Sequence, residues 1–383
     1  MEHNPLLTLQ ALGQSIWLDF LGRGMIRSGG LQQLIDGDGL SGVTSNPTIF
    51  EKAIGGSRDY DDRLQVLSKA GESPAQIYEA LTVEDIQMAA DVFRPVYDRL
   101  EGRDGFVSLE VSPHLAHDTA ATIAEARRLW GAVARPNVFI KVPATAEGLP
   151  AIQGLIAQGI NVNITLLFGL NRYRQVTEAY LAGLEERAAQ HKPVDNVASV
   201  ASFFISRIDT LVDQLLAPAL TAGGEAGQRA RALQGQAAIA SAKMAYQIYR
   251  QVFYGERFSR LAASGARRQR LLWASTSTKN PAYSDTKYVE PLVGMDTINT
   301  MTLETLVAYR DHGEPALRLT EKMTEAQAAL ELLAHAGVNL EKVTRDLEEE
   351  GVTKFVKSYD NLLAALAQKH ETLYQKAGVP AGK

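Results

Sequence analysis

The sequence predicts an α/β fold, a (β/α)8 TIM barrel, from the order and the composition of its segments. Short runs rich in β-branched and aromatic residues recur along the 383 residues, and amphipathic helical patterns separate them. Several of these runs are almost continuously apolar, as expected for parallel strands that are covered on both faces. The alternation indicates βαβ units, and eight of them favour a closed barrel over an open sheet.

The predicted strands follow one another from near the N-terminus to residue 300. They are Ser15–Phe20, Gly42–Ser45, Phe106–Val111, Val138–Val142, Ile160–Leu166, Val197–Phe203, Leu271–Ser275 and Thr297–Thr300. Clear helical patterns lie between them at Thr119–Ala134, Leu170–Gln190 and Gly227–Phe253.

Two segments exceed a minimal barrel. A mostly helical insertion of about residues 50–100 follows the second strand, and a helical appendage of about residues 315–376 follows the eighth. No linker rich in proline and serine divides the chain. We therefore expect one domain, residues 1–383, with helical additions.

Composition narrows the class of partner. A net charge of -5 provides no basic field for nucleic acid. No apolar stretch is long enough to span a membrane. The sequence contains no cysteine, which excludes disulfides, thiolate nucleophiles and cysteine-ligated zinc and is consistent with a reducing cytoplasm. The expected partner is a small molecule, and the expected location is the cytoplasm.

Polar side chains lie at the ends of the predicted strands, where a barrel places its active site. They are Asp19, Asn46, Glu110, Lys141, Asn163, Thr165, Ser202 and Ser275. Because side chains two positions apart share a face of a strand, Asn163 and Thr165 point the same way. The sequence therefore directs an amine, carboxylates, amides and hydroxyls towards one mouth.

Lys141 is the strongest single signal, because it lies between Ile140 and Val142 in an apolar strand. A buried amine favours its uncharged form, which is the nucleophile that condenses with a ketone. The alternative is a strand-end lysine that reaches solvent or pairs with a carboxylate. The strand context alone favours neither interpretation.

Asp19 and Glu110 favour the catalytic interpretation of Lys141. Imine chemistry needs proton transfers during loss of water and during cleavage of a C–C bond. Two carboxyl groups in different environments can divide these steps. Each carboxylate taken alone is more simply a salt-bridge partner or a helix cap.

Two cations follow late strands, where barrel loops often bind phosphate. Arg207 follows the sixth strand and Lys279 the seventh. The guanidinium of arginine is suited to phosphate oxygens, although a surface ion pair is the commoner role for an arginine at a helix start. The pair supports a phosphorylated substrate.

Two other patterns have simpler explanations. Gly37–Gly42 matches G-x-G-x-x-G but precedes a strand, whereas a dinucleotide site follows one. The seven histidines show no metal-ligand spacing, and His114 and His117 are expected in a solvated loop, so we expect no metal.

Together these segments resemble the transaldolase family, and the similarity extends through most of the chain. The segments are Trp17–Asp19, Val43–Phe50, Ser108–Ser112, Phe139–Ala144, Ile160–Phe168, Ser202–Arg207 and Glu350–Phe355. The Thr-Ser-Asn-Pro sequence within the second segment and the Ile-Lys-Val-Pro sequence within the fourth are highly specific in combination.

The resemblance implies a role for each matching position. Lys141 matches the Schiff-base lysine, and Asp19 matches the group that takes the C4 hydroxyl proton during C–C cleavage. Glu110 matches an acid/base that works through a water, which Thr165 helps to hold. The remaining matches are Asn46, Asn163 and Ser202 for the three-carbon fragment, Arg207 for phosphate and Ser275 as a nearby hydroxyl donor.

The chain departs from the family pattern at Ser277, where many members have a second arginine. Lys279 is the expected replacement, as a point charge instead of a planar fork. Members that act as simple aldolases tend to have Gln at the Glu110 position and Tyr at the Phe204 position, so the resemblance favours transfer.

The implied reaction moves a dihydroxyacetone unit from sedoheptulose 7-phosphate to glyceraldehyde 3-phosphate, in the pentose phosphate pathway. It needs no cofactor, and we expect a monomer or homodimer. The remaining alternatives are a Schiff-base aldolase that releases free dihydroxyacetone and a non-catalytic barrel that binds sugar phosphates.

Overall fold

The computed structural model describes residues 4–376 and contains a closed barrel of eight parallel strands in sequential order. The strands are β1 (Gln14–Leu18), β2 (Gly42–Val43), β3 (Phe106–Glu110), β4 (Val138–Pro143), β5 (Val162–Leu167), β6 (Ser199–Phe204), β7 (Arg270–Ala274) and β8 (Thr297–Met301). Pairing of β1 with β8 closes the barrel. The predicted fold class is confirmed.

Helices surround the barrel and extend it at both predicted places. They are α1 (Pro5–Ala11), α2 (Arg23–Arg27), α3 (Gly30–Asp38), α4 (Pro47–Gly56), α5 (Asp61–Lys69), α6 (Pro74–Arg99), α7 (Thr119–Val133), α8 (Gly148–Gln158), α9 (Leu170–Ala189), α10 (Ser206–Ala222), α11 (Gly224–Leu233), α12 (Ala237–Phe253), α13 (Glu256–Ala262), α14 (Leu303–His312), α15 (Met323–His335) and α16 (Leu340–Lys376). Across residues 4–376, none of them is long and apolar enough to cross a membrane.

The insertion after β2 consists of α4, α5 and α6. Asn46 caps α4, because its side-chain oxygen accepts the main-chain N–H of Ile49 at 3.0 Å. A buried ion pair of 2.7 Å between Arg23 and Asp85 fixes α6 to the start of α2. The appendage consists of α15 and α16, and α16 packs on α4 and α6.

One predicted helix is wrong. The pattern Gly227–Phe253 forms two helices, α11 and α12, which Gln234–Gln236 separate. Gly235 has a φ of 64°, in the left-handed region that glycine adopts without strain. Its N–H donates to the Asp213 carboxylate at 2.9 Å. The continuous apolar pattern did not reveal this break.

Aromatic side chains fill the middle of the barrel. Trp17, Phe106 and Phe139 are buried, and the rings of Phe106 and Phe139 stack at 4.3 Å between centroids. A Cβ at Gly42 would lie 2.4 Å from Cε2 of Trp17, so only glycine fits opposite this indole. Trp17 and Phe139 precede Asp19 and Lys141 by two positions, so the aromatic layer supports the polar mouth.

Candidate active site

The carboxyl ends of the barrel strands surround a cavity of about 260 Å³. Its lining residues are Asp19, Thr44, Asn46, Thr48, Ile49, Lys52, Lys141, Thr165, Ser202, Phe204, Arg207, Ala274, Ser275, Ser277, Lys279, Thr300, Thr302 and Phe355. Nine of the eleven predicted site residues are among them. The other two, Glu110 and Asn163, contact lining residues from the neighbouring positions of the barrel wall.

Lys141 lies on β4 with 4% of its surface exposed. Its Nζ donates to the Ser45 carbonyl at 2.9 Å and lies 3.4 Å from Oε2 of Glu110. Strand register explains this contact, because Glu110 on β3 is directly opposite Lys141 on β4. The side chain does not extend to bulk solvent, and the pairing with a carboxylate coexists with a position in the cavity wall.

The Glu110 carboxyl is buried beside the amine. Removal from water raises its pKa to about 7, although the nearby charge of Lys141 opposes the rise. Glu110 also borders a groove between α6 and α7, together with Tyr78 and Tyr359. A carboxyl that titrates near neutrality is able both to donate and to accept a proton.

Asp19 follows β1 and lines the cavity directly. Thr44 donates its hydroxyl to Oδ1 of Asp19 at 2.6 Å, and the oxygens of Thr44 and Thr300 are 2.8 Å apart. Burial of the Asp19 carboxyl away from water raises its pKa, whereas the Thr44 hydrogen bond and the charge of Lys141 oppose the rise. The threonine contacts hold the carboxyl in place on the cavity wall.

A hydrogen-bonded chain links β3, β5 and β6 below the cavity. Asn163 donates from Nδ2 to the Ser108 hydroxyl at 3.0 Å and accepts at Oδ1 from Ser202 at 2.7 Å. Asn163 is fully buried, so the Ser202 hydroxyl is the member of this chain that reaches the cavity. The hydroxyl of Thr165 is buried at the wall and has no hydrogen-bond partner within the described part of the chain.

One side of the cavity is cationic. Arg207 near the start of α10 and Lys279 after β7 both line it. Burial lowers the pKa of Arg207, and burial together with the charge of Arg207 lowers the pKa of Lys279. Lys279 donates to the Ser277 hydroxyl at 2.5 Å. Arg207 forms no ion pair with any residue from 4 to 376, so the surface-pair interpretation is wrong here.

Nine of the eighteen lining residues were not among the predicted site residues, and Lys52 and Phe355 are the most informative of them. Lys52 lies on α4 four positions after Thr48, so both occupy one helical face towards the cavity. The cap at Asn46 and this spacing were signals that could have indicated Lys52. Phe355 comes from α16 and has 3% of its surface exposed. No local pattern could have shown that it crosses the barrel mouth.

The C-terminal helix covers part of the mouth. Besides Phe355, the hydroxyls of Ser358 on α16 and Thr48 on α4 lie 2.9 Å apart. Gly351 approaches the end of β5 so closely that a Cβ there would be 2.8 Å from Cδ2 of Leu166. Residues 351–358 of this helix therefore contain the segment that contacts the cavity.

The backbone at the end of β7 is strained. Ser275 has a φ of 54°, which non-glycine residues rarely adopt. Its hydroxyl oxygen is 3.1 Å from that of Ser206, at the first position of α10. Ser275 thus joins the late-strand loop to the helix that presents Arg207, and it remains in the cavity wall. Phe204, which precedes this helix, places its ring 5.6 Å from the Arg207 guanidinium carbon.

Neither discounted pattern joins the cavity. Gly37–Gly42 covers the end of α3 and the entry to β2, as expected. His114 and His117 are exposed and contact Asp360 and Glu147. No group of three or more metal-ligating side chains occurs within residues 4–376.

Comparison with known proteins gives concordant matches. The sequence profile of the family described as Transaldolase/Fructose-6-phosphate aldolase matches residues 16–366. A protein named transaldolase from Parafrankia sp. (strain EAN1pec) is 48% identical over 95% of this chain and 98% of its own length. Transaldolases of Trichodesmium erythraeum and Acidothermus cellulolyticus are 45% and 48% identical, over 97% and 98% of this chain and 99% of each relative.

Proposed function

Since the chain belongs to the transaldolase/fructose-6-phosphate aldolase family, we propose that it is a transaldolase that uses a Schiff base on Lys141. The observation that best supports this proposal is the position of the Lys141 amine. It is buried in the wall of the cavity that Asp19 also lines, and it lies 3.4 Å from the Glu110 carboxyl. The relatives that share its length support transfer between sugar phosphates.

The first step forms the imine. The Lys141 amine attacks the C2 carbonyl of a ketose phosphate, fructose 6-phosphate or sedoheptulose 7-phosphate, and forms a carbinolamine. Glu110 supplies the proton with which the C2 oxygen leaves as water, directly or through a water that the Thr165 hydroxyl holds. The raised pKa of Glu110, about 7, suits this role. The unpartnered hydroxyl of Thr165 is consistent with holding that water.

The second step breaks the C3–C4 bond. Asp19 takes the proton of the C4 hydroxyl, the C4–O bond becomes a carbonyl, and the electron pair of the C3–C4 bond moves into the protonated imine. An aldose phosphate leaves, and a dihydroxyacetone unit remains on Lys141 as an enamine. Because the imine is the electron sink, this chemistry requires neither a metal nor an organic cofactor.

The third step transfers the unit. The enamine carbon attacks the aldehyde of glyceraldehyde 3-phosphate or erythrose 4-phosphate, Asp19 returns its proton to the new hydroxyl, and water releases the product from Lys141. Asn46, Asn163 and Ser202 position the three-carbon fragment. The fixed chain from Ser108 through Asn163 to Ser202 supports that role, since it orients the Ser202 hydroxyl at the cavity wall.

The cationic side of the cavity binds the substrate phosphate. Arg207 provides two parallel donors, Lys279 and Lys52 add point charges, and Ser275 adds a hydroxyl. Lys279 thereby takes the place of the arginine that the chain lacks at Ser277. The Phe204 ring lies 5.6 Å from the guanidinium carbon of Arg207, within the range of a cation–π contact.

We also propose that the chain forms one domain, acts in the cytoplasm and is a monomer or homodimer. A single cluster of buried apolar residues extends from Leu6 to Leu366 and includes both the barrel and α16, which supports one domain. The absence of cysteine from the sequence suits a reducing compartment.

Borohydride trapping tests the proposal. Reduction in the presence of fructose 6-phosphate should fix a dihydroxyacetone or hexose unit on the peptide that contains Lys141. Lys52 and Lys279 serve as internal controls because they line the same cavity. Lys141→Met should show no label and no turnover, with unchanged circular dichroism. A label on another lysine, or turnover by Lys141→Met, would overturn the assignment.

Product analysis distinguishes the nearest competing activity. Without an acceptor aldose, a transaldolase holds its three-carbon unit and releases little free dihydroxyacetone. Steady release of dihydroxyacetone at the rate of fructose 6-phosphate cleavage would identify a simple aldolase. Binding of the sugar phosphate with no trapping at all would identify a non-catalytic barrel.

A further inference from the structure

The groove between α6 and α7 reaches Glu110 from outside the barrel. It encloses about 570 Å³, against about 260 Å³ for the catalytic cavity. Within residues 4–376 the two spaces share no lining residue, because Glu110 lines the groove whereas Lys141 lines the catalytic cavity. The ion pair of these two residues therefore lies between the groove and the cavity.

The Glu110 carboxyl has a neighbour on each side. Towards the cavity, its Oε2 lies 3.4 Å from Nζ of Lys141 and has no hydrogen-bond partner in the part of the chain that the structure describes. Towards the groove, burial raises the pKa of Tyr78, and the charges of Tyr359 and Glu110 raise it further. A buried polar oxygen without a protein partner is typically satisfied by water.

Polar groups make the groove suitable for water. Ser112 and Glu125 contribute a hydroxyl and a carboxyl to its lining. Arg128 on α7 donates to the carboxylate of Glu79 on α6 at 2.7 Å, so this pair bridges the two helices. Cavities with polar walls hold water, whereas purely apolar ones of this kind stay dry.

The mouth of the barrel is the other path from Glu110 to solvent, and the substrate obstructs it. The catalytic cavity is small, and Phe355 of α16 lies in its wall. Ligand sites enclose most of the surface of the molecule that they bind. A sugar phosphate in this cavity therefore lies between the mouth and the water that forms beside Glu110.

We propose that the groove between α6 and α7 is the water route of the Lys141 site, an inference that rests on the proposed function. When the imine forms, the C2–O bond breaks, Glu110 gives its proton to the departing oxygen, and the resulting water passes Glu110 into the groove. The water that hydrolyses the product imine enters by the same route. One water leaves and one returns in each complete transfer.

The test follows the oxygen atom that leaves C2. Fructose 6-phosphate that carries ¹⁸O at C2 is incubated with the full-length protein and erythrose 4-phosphate in ordinary water. Mass spectrometry of the remaining substrate gives the loss of ¹⁸O per molecule cleaved, after subtraction of the loss without protein. Label is lost when the released water escapes before the imine reverts, and it is kept when the same water returns.

Two variants locate the route. Ala75 is exposed at the start of α6 and lines the groove, so Ala75→Trp should obstruct it and lower the loss of ¹⁸O per cleavage severalfold. Ala124→Trp is the matched control, because Ala124 is exposed on α7 and does not line the groove, and it should behave as the wild type. Circular dichroism checks that both variants fold, and borohydride should still trap both.

The outcomes separate this proposal from the proposed function. Equal loss of ¹⁸O per cleavage in Ala75→Trp and Ala124→Trp would overturn the water route. A wild type that borohydride traps on Lys141, yet that causes no loss of ¹⁸O, would also overturn it. Absence of both trapping and catalysed ¹⁸O loss would instead overturn the Schiff-base function itself.

Discussion

Glu110→Gln should change the pH dependence of stability in a direction that the burial of Glu110 determines. The pKa of this carboxyl rises from 4.5 to about 7 because the folded protein removes it from water. Between these values the folded chain binds more protons at this position than the unfolded chain. The free energy of unfolding therefore falls as pH rises through this window.

The size of the effect follows from the same difference in pKa. A rise from 4.5 to about 7 corresponds to about 3 kcal/mol of stability that is present below pH 4.5 and is lost above pH 7. Glutamine keeps the shape of the side chain and does not titrate. The free energy of unfolding of the wild type, relative to Glu110→Gln, should thus decrease by about 3 kcal/mol from pH 4.5 to pH 8.

Urea unfolding of both proteins at a series of pH values measures this difference. Glu225→Gln is the control, because Glu225 is exposed, and it should follow the wild type in parallel. Turnover by Glu110→Gln should fall about 10²- to 10⁴-fold, the usual contribution of an acid/base group. Parallel unfolding curves for wild type and Glu110→Gln would refute the reasoning, since Glu110 would then be ionised throughout, as an ion-pair partner of Lys141.

Three further substitutions separate the steps of the reaction and the packing of the barrel. Asp19→Asn should lower kcat about 10²- to 10⁴-fold. It should still be trapped by borohydride with fructose 6-phosphate, because Glu110 is the residue that assists imine formation. Loss of trapping would show that Asp19 acts in imine formation as well. Arg207→Ala should raise KM for fructose 6-phosphate roughly 10- to 100-fold. The wild type and Arg207→Ala should react equally with unphosphorylated fructose. An equal loss of activity with fructose would exclude a role of Arg207 in phosphate binding. Gly42→Ala should destabilise the fold by about 1–3 kcal/mol, because the new methyl group would meet Trp17, whereas Gly37→Ala has no neighbour within 4 Å and should leave the thermal midpoint almost unchanged.

The barrel was predictable because its signals are local. Buried strands such as Val138–Pro143 are continuously apolar, and the polar residues at their ends break that pattern visibly. Strand register then brought Glu110 next to Lys141 without any further information, since adjacent parallel strands align their carboxyl ends. These elements needed only periodicity and the rules of parallel sheets.

Other features depended on contacts between distant segments. Phe355 reaches the cavity because α16 packs on α4, and nothing in its neighbourhood of the sequence indicates that partner. Asn46 was expected at a strand end, but β2 stops at Val43 and Asn46 caps α4 instead. The predicted helix Gly227–Phe253 is interrupted near Gly235, whose main-chain N–H donates to the carboxylate of Asp213, 22 positions earlier. Such positions are determined by tertiary structure.

Closure of the barrel has a consequence for biosynthesis. Gln14 on β1 hydrogen-bonds Thr297 on β8 at 2.9 Å, across 283 positions of the chain. A ribosome that adds residues in order therefore exposes the edge of β1 long before its partner emerges. Contacts between such distant positions slow folding and leave intermediates prone to aggregation. The nascent chain thus completes its ring only after β8 has emerged, and it acquires the helix that bears Phe355 later still.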